Sequence, residues 1–184
     1  MEKQMEMARS IIAGSDQVMV LTGAGISTGS GLPDYRGKDG KYTQSKEALR
    51  AAQIDEYRRH PLRSLQALDL GVRNVQPNAA HRSFEQLGDR LLGLVTTNID
   101  GLHSLTAVPS GKVVEAHGTG RETVCTKCDF QGDFSLWDYD YETLGEDLIC
   151  FECNEGWLRP NVIFFGEFLK PKVMSLVGDW ATRC

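Results

Sequence analysis

Long apolar runs are missing from this chain. Its uninterrupted apolar stretches reach four residues, as in Val162–Phe165, far short of the roughly 20 that cross a bilayer as a helix. An excess of positive charge is missing too. Twenty Lys and Arg face 25 Asp and Glu, for a net charge of −5. That excludes a nucleic-acid binder working through bulk positive charge, and no direct nucleic-acid binding is expected. An even cysteine count is also absent: there are five, four of them in two Cys-x-x-Cys pairs. Such pairs point to a metal site rather than a disulfide framework. The opening residues, Met-Glu-Lys-Gln-Met-Glu, carry neither the apolar core of a signal peptide nor the Arg- and Ser-rich character of a transit sequence. An intracellular, reducing compartment is therefore expected, the cytoplasm by default.

What is present suffices for a packed core. The chain has 184 residues, 41% apolar and 24% charged, and can bury roughly 70% of its unfolded surface without disulfides. Met5, Ala8, Ile11 and Ile12 recur at helical spacing up to Gly14, which predicts an amphipathic helix. Val18-Met19-Val20-Leu21 then runs into Gly23-Ala24-Gly25. A short continuous apolar run of this kind reads as a strand buried on both faces, the signature of a parallel sheet covered by helices. The glycine-rich stretch from Thr22 to Gly40 is expected to be one long loop. Residues 45 to 75 are helical in character, broken at His60-Pro61, and form an insert of about 41–75. Asn78 is placed to cap a stronger helix that buries Phe84, Leu87, Leu91 and Leu92. Leu94–Thr97, Val113–Ala116 and Val162–Phe165 read as further strands, and Met174 to Cys184 as a helix. The whole reads as an α/β chain in which a Rossmann-like parallel sheet, incomplete in its strand count, is interrupted by a small inserted zinc-binding module. The expected boundaries are 1–120 for the first part of the sheet domain, 121–158 for the zinc-binding module and 159–184 for the return to the sheet.

Four constellations carry chemistry. Cys125-x-x-Cys128 and Cys150-x-x-Cys153 lie 21 residues apart. Two such knuckles complete a tetrahedron of thiolates with no open position, which describes a structural zinc site. The glycine turn from Gly23 to Gly31 lets the backbone approach a ligand closely. It is followed by Asp34 and Arg36, which could orient a charged cofactor, and by Tyr35, which offers a flat face to a heterocycle. Thr97-Asn98-Ile99-Asp100 stands at a strand end, where open α/β sheets bind ligands. His117 stands at another such end and can act as a general base near neutral pH. His60, His81 and His103 read as packing or surface residues.

Taken in order, these runs resemble a known family. Gly-Ala-Gly-Ile-Ser through Leu-Pro-Asp-Tyr-Arg, Thr-Asn-Ile-Asp-Gly-Leu-His, Glu-Ala-His-Gly, the paired cysteines and Arg159-Pro160-Asn161-Val162-Ile163-Phe164-Phe165-Gly166-Glu167 are similar to the motifs of sirtuins. The Pro-Asp-Tyr-Arg variant is closest in style to the class II branch. The resemblance implies an NAD-dependent protein deacylase with NAD and structural Zn2+ as cofactors and acylated lysine side chains of proteins as partners. It implies cofactor contacts from Gly23, Ala24, Gly25, Thr28, Asp34, Tyr35, Arg36, Thr97, Asn98, Ile99, Asp100 and His117. His117 and Asn98 would be catalytic, with His117 deprotonating a ribose hydroxyl that then takes the acyl group as nicotinamide leaves. Val162, Phe164, Phe165 and Gly166 would hold the substrate as an added strand, and Cys125, Cys128, Cys150 and Cys153 would hold zinc.

Two features depart from the family pattern. Thr97 replaces the usual Gln, losing an amide whose hydrogen bond is worth on the order of 1 kcal/mol. The family's later strands, one ending in Gly-Thr-Ser and one in Asn, do not occur in this chain, so an incomplete sheet is expected. Leu65, Leu68 and Leu70 fall where acyl-chain choice is set and would tolerate a hydrophobic acyl group, whereas no Tyr-x-x-Arg arrangement there would hold a negatively charged one. Two other functions fit the same residues: protein mono-ADP-ribosyl transfer, and a catalytically silent zinc-containing interaction module. Whether NAD binds separates the last from the others.

Overall fold

In the computed structural model, which describes residues 2–69, 74–139 and 148–184, the chain builds two small sheets that meet at a cleft. It opens with helix α1 (Glu2–Ala13) and strand β1 (Val18–Thr22), then passes through a 3-10 turn, Ala24–Ser30. Four short helices follow: α2 (Lys41–Gln44), α3 (Lys46–Ala51), α4 (Ile54–Arg59) and α5 (Pro61–Leu68). Next come α6 (Ala79–Ser83), β2 (Leu91–Thr96) and β3 (Val113–Glu115), then β4 (Gly118–Cys125), β5 (Gln131–Gly132), β6 (Leu158–Val162) and α7 (Pro171–Ala181).

The first sheet is parallel, in the order β1-β2-β3. Val20 sits beside Leu94 and Thr22 beside Thr96, and Thr96 in turn lies beside Glu115. Because the strands run in register, all three carboxyl ends finish at one edge. Central β2 is buried almost throughout, as its apolar run requires. Helix α7 covers it through Trp180, packed with Val95, Val114 and Ala116. The close approach depends on Gly93, where a Cβ would stand 2.2 Å from the Trp180 ring.

The second sheet is antiparallel, in the order β5-β4-β6, and holds the larger core. Leu136, Trp137, Leu148, Leu158, Val162 and Phe164 pack there with Ile54, Tyr57 and Leu65 of α4 and α5. The polar ends of the two large rings are satisfied on backbone: Tyr57 donates to the Leu158 carbonyl at 3.2 Å, and Trp137 Nε1 to the Leu65 carbonyl at 2.9 Å. The helical insert thus belongs with the small sheet.

Several expectations change on this frame. Val162–Phe165 does not return to the parallel sheet: Val162 closes β6, paired antiparallel with β4 through Gly118↔Val162 and Cys125↔Leu158, and 163–165 lie beyond the strand's end. The strands of the small sheet run from Gly118 to Val162. The helix capped by Asn78 is short. Asn78 Oδ1 accepts from the Ala80 and His81 backbone as expected, but Gly88 at φ +54 ends the helical path, and Leu91 and Leu92 lie on β2. The stretch 22–40 is not all loop, since Ala24–Ser30 winds into a 3-10 turn closed by Gly31 at φ +91. The insert breaks at Ala52-Gln53 as well as at His60, and its expected continuation to residue 75 crosses 70–73, outside the described residues. Helix α1 forms as its spacing predicts, yet none of its residues is buried.

Candidate active site and metal centre

The carboxyl ends of β1, β2 and β3 deliver the glycine turn, the Thr97–Asp100 run and His117 to one side of the cleft, and the residues after β6 form the other. Between them lies a cavity of about 370 Å3. Ala24, Tyr35, Arg36, Thr97, Asn98, Ile99 and His117 line it from the parallel-sheet side, and Val162, Phe164, Phe165 and Gly166 from the other. The parallel register explains the convergence: a strand end is where side chains leave the sheet without a partner strand to cover them.

His117 Nδ1 lies 3.0 Å from the Thr97 carbonyl oxygen. A carbonyl can only accept, so Nδ1 carries the proton, and in the neutral ring Nε2 is left as the acceptor. Thr97 turns its own hydroxyl back to the Thr22 carbonyl at 3.3 Å. Asn98 is 2% exposed. Its amide nitrogen donates to the Gly23 carbonyl and to Ser27 Oγ, each at 3.2 Å. Those two bonds fix the amide plane and leave Asn98 Oδ1 buried without a partner among the described residues. An orphaned buried acceptor is costly, and at a cavity wall it marks a place for a ligand's donor.

Behind this wall stands a buried polar network that sequence reasoning passed over. Ser27 donates to Asp100 Oδ2 at 2.7 Å and lies 3.4 Å from His81 Nε2. Asp100 Oδ1 accepts from the Leu102 backbone at 2.9 Å. The His81 and His103 rings meet at 4.8 Å, and His103 Nε2 bonds Thr22 Oγ1 at 2.9 Å. Burial, with His81 beside it, pulls His103 down to about 4, so the ring is neutral at physiological pH. Ser27 bonds both Asn98 and Asp100, His81 reaches them through Ser27, and His103 holds Thr22 at the end of β1. Only the neighbourhood of Ser27 within the glycine turn could have flagged them in advance.

The remaining expected cofactor residues divide. Ala24, Tyr35 and Arg36 face the cavity. Tyr35 is stacked on Tyr42 at 4.9 Å, and burial raises its phenol well above the usual range. Asp34 instead accepts from the Gly37 backbone at 2.7 Å and so holds the loop that carries Tyr35 and Arg36. Thr28 donates to the Gly25 carbonyl at 2.8 Å inside the 3-10 turn. Neither Gly23, Gly25 and Thr28 nor Asp100 reaches the cavity wall. Of the leucines tied to acyl choice, Leu68 lines the cavity, Leu65 is fully buried core and Leu70 lies outside the described residues.

The cysteines gather in a separate place. The Sγ atoms of Cys125, Cys128, Cys150 and Cys153 lie within 4.8 Å of one another. The Cys125–Cys153 and Cys128–Cys150 separations are 3.8 and 3.9 Å, too long for disulfides. Four sulfurs about 2.3 Å from one zinc ion stand about 3.8 Å apart; two pairs already stand at about that separation and all lie within 4.8 Å, so the set fits that ion with at most a small contraction. Backbone N–H groups of Lys127 and Cys128 point at Cys125 Sγ, and that of Gly156 at Cys153 Sγ. Donors of this kind favour thiolate, and those of Gly156 and Glu155 pull Cys153 down to about 7. With four sulfurs there is no vacant position for substrate, so such an ion would brace β4 and the 148–158 segment.

The sequence pattern of the Sir2 family matches residues 23–183. This chain belongs to the Sir2 family. Among curated relatives of this sirtuin, the NAD-dependent protein deacetylase 2 of Streptomyces coelicolor is 38% identical over 179 residues, covering 94% of this chain and 74% of the relative. A Sir2 structure holding a deacetylated peptide and 3′-O-acetyl ADP-ribose superimposes with a TM-score of 0.81 at 30% identity, covering 97% of this chain and 72% of that one. A Sir2 homologue–NAD complex gives 0.75 at 34% identity, covering 94% and 66%. No helix among the described residues is long and apolar enough to cross a membrane.

Proposed function

We propose that this sirtuin is an NAD-dependent protein-lysine deacylase, transferring the acyl group to ADP-ribose with release of nicotinamide. The observation that carries the reading is the pairing, on one cavity wall, of a buried unsatisfied acceptor at Asn98 Oδ1 with a proton acceptor at His117 Nε2. The deacetylase activity named for its relatives supports it.

NAD, when bound, supplies an activated ribose whose leaving group is nicotinamide. Asn98 Oδ1 is the acceptor that a carboxamide donor would satisfy, and Ser27 and the Gly23 carbonyl keep it aimed. His117 would take the proton of a ribose hydroxyl at Nε2, while the Thr97 carbonyl holds Nδ1–H and so fixes the tautomer. Val162, Phe164 and Phe165 supply an apolar wall for the lysine and acyl carbons and exclude water from them. Their backbone is less open than an added strand needs. The N–H groups of Ile163, Phe164 and Phe165 are already bonded to the His117 carbonyl, Glu167 Oε2 and the Ala52 carbonyl. The Val162, Phe164 and Phe165 carbonyls are likewise taken, by Arg159 Nη2 and by the Glu167 and Ile54 N–H groups, so substrate backbone would be held through the Ile163 carbonyl and Gly166. Zinc, held by the four cysteines, would do no chemistry in this scheme. A four-thiol set persists in a reducing compartment, which supports an intracellular setting.

The test is nicotinamide release from NAD with an acetyl-lysine peptide. His117→Ala should lower kcat by about 10²–10⁴-fold, the usual worth of a general base, with an unchanged melting temperature. Release that ignores the peptide, or that survives His117→Ala, would overturn the reading. Transfer of label from NAD onto protein would favour ADP-ribosylation instead.

A further inference from the structure

A second hollow, a groove of about 750 Å3, adjoins the cavity. The two share Val162, Ile163 and Glu167 in their walls. A polypeptide whose acylated lysine entered the cavity would therefore have one flank lying along the groove.

Apolar side chains line part of the groove, namely Ile54 from α4, Phe130 and Trp157 from the turns beside the small sheet, and Phe168 just after the cavity, while charged and polar side chains line much of the rest. Phe168 is 93% exposed, the most exposed large apolar side chain among the described residues. A lone exposed ring is unremarkable on a surface; one standing at the mouth of a groove continuous with a substrate cavity is a contact waiting for a partner.

Charge does not explain the groove. Lys127 pairs with Glu155 at 2.5 Å, Arg159 with Glu167 at 2.6 Å and Arg58 with Asp55 at 3.6 Å. Lys170 Nζ is spent on Asn161 Oδ1 at 3.1 Å. Nor is the backbone of β6 open there. The Leu158 carbonyl accepts from the Tyr57 hydroxyl at 3.2 Å, and the Val162 carbonyl from Arg159 Nη2 at 2.6 Å. With these charges paired among themselves, the exposed Phe168 ring is the most prominent contact the groove offers.

We infer that the groove receives the stretch of substrate polypeptide flanking the acyl-lysine, and that Phe168 selects a bulky apolar residue in that flank. The inference rests on the deacylase reading for its acyl-lysine and adds the chemistry of the neighbouring residue. No bond is made or broken in the groove.

The experiment uses acetyl-lysine peptides in which each flanking position carries Ala, Leu, Phe, Asp or Lys in turn. Each is measured by nicotinamide release and, with NAD left out, by fluorescence anisotropy of the labelled peptide. Wild type should favour Leu or Phe at one flanking position by roughly fivefold over Ala in both readouts, the size expected for partly burying one such side chain. Phe168→Ala should flatten that preference and Phe168→Leu keep part of it, while both variants turn over flankless acetyl-lysine amide like wild type. Turnover with no flank preference, or with the same preference in Phe168→Ala, overturns the groove and leaves the deacylase reading standing. A Phe168-dependent binding preference without nicotinamide release upholds the groove and sinks the deacylase reading. Neither binding nor release overturns both. Self-association in sedimentation that Phe168→Ala abolishes overturns the inference by giving the groove to a second copy of the chain.

Discussion

The two sheets of this sirtuin divide stability and chemistry between them. Among the described residues, the antiparallel half encloses a core of ten buried residues that includes Tyr57, Leu65, Trp137 and Cys150, with the other three cysteines of the metal set packed against it. The parallel half gathers Val95, Val114, Ala116 and Trp180 on its α7 side, and helix α1 buries nothing. Yet the parallel half carries the orphaned Asn98 acceptor, the proton acceptor of His117 and the Ser27–Asp100–His81 network. The difference teaches that a site made of strand ends needs register more than mass. Three short strands held side by side suffice to aim the groups, while the opposite wall must be braced by a dense core and a metal set.

Stripping the metal should break the comparison most visibly. Chelation, or Cys150→Ser, removes a brace whose contribution is of order several kcal/mol or more. Trp137, 3% exposed in the small core, should then shift its fluorescence to the red. In a Trp137→Phe/Trp157→Phe background, Trp180 should report an undisturbed parallel half. Simultaneous loss of both signals would make the halves one cooperative unit.

A sharper probe strikes the parallel half alone. Gly93→Ala drives a Cβ to 2.2 Å from the Trp180 ring, an overpacking that should cost about 1–3 kcal/mol and lower the melting temperature. Trp180→Leu in the same chain should recover part of the loss. Full stability of Gly93→Ala would show that α7 does not hold β2.

The smallest effect is a pH dependence in the parallel half. Glu115 is raised to about 7, first by burial and then by the nearby Glu122. Between pH 4.5 and about 7 the folded chain therefore binds more protons than the unfolded one, so stability falls as pH rises through that window. Glu115→Gln should remove this slope, matching wild type below the window and exceeding it above by about 1 kcal/mol, because solvent reaching this partly buried carboxylate screens most of the roughly 3 kcal/mol that the full shift would carry. Denaturant melts across pH would check it, and parallel wild-type and variant curves would refute it.

Legibility in the sequence followed the range of the interaction. The cysteine spacing predicted a four-sulfur cluster because each knuckle is local and thiolates share one chemistry. β1 and its glycine turn were legible because a buried strand and its exit are written in consecutive residues. Val162–Phe165 misled because an apolar run announces a strand without naming its partner. Leu91 and Leu92 misled because their helical spacing ignores the break at Gly88. His81 and His103 read as ordinary packing residues because their value lies in contacts to Ser27 and Thr22, 54 and 81 positions away.

The residues alone therefore determined the parallel α/β class, the metal set and the strand-end positions of Asn98 and His117, since each depends on local periodicity or spacing. The tertiary structure decided which sheet receives β6, which half the helical insert joins, and which polar groups support Asn98. Those choices depend on long-range pairing and burial, and no local pattern encodes them.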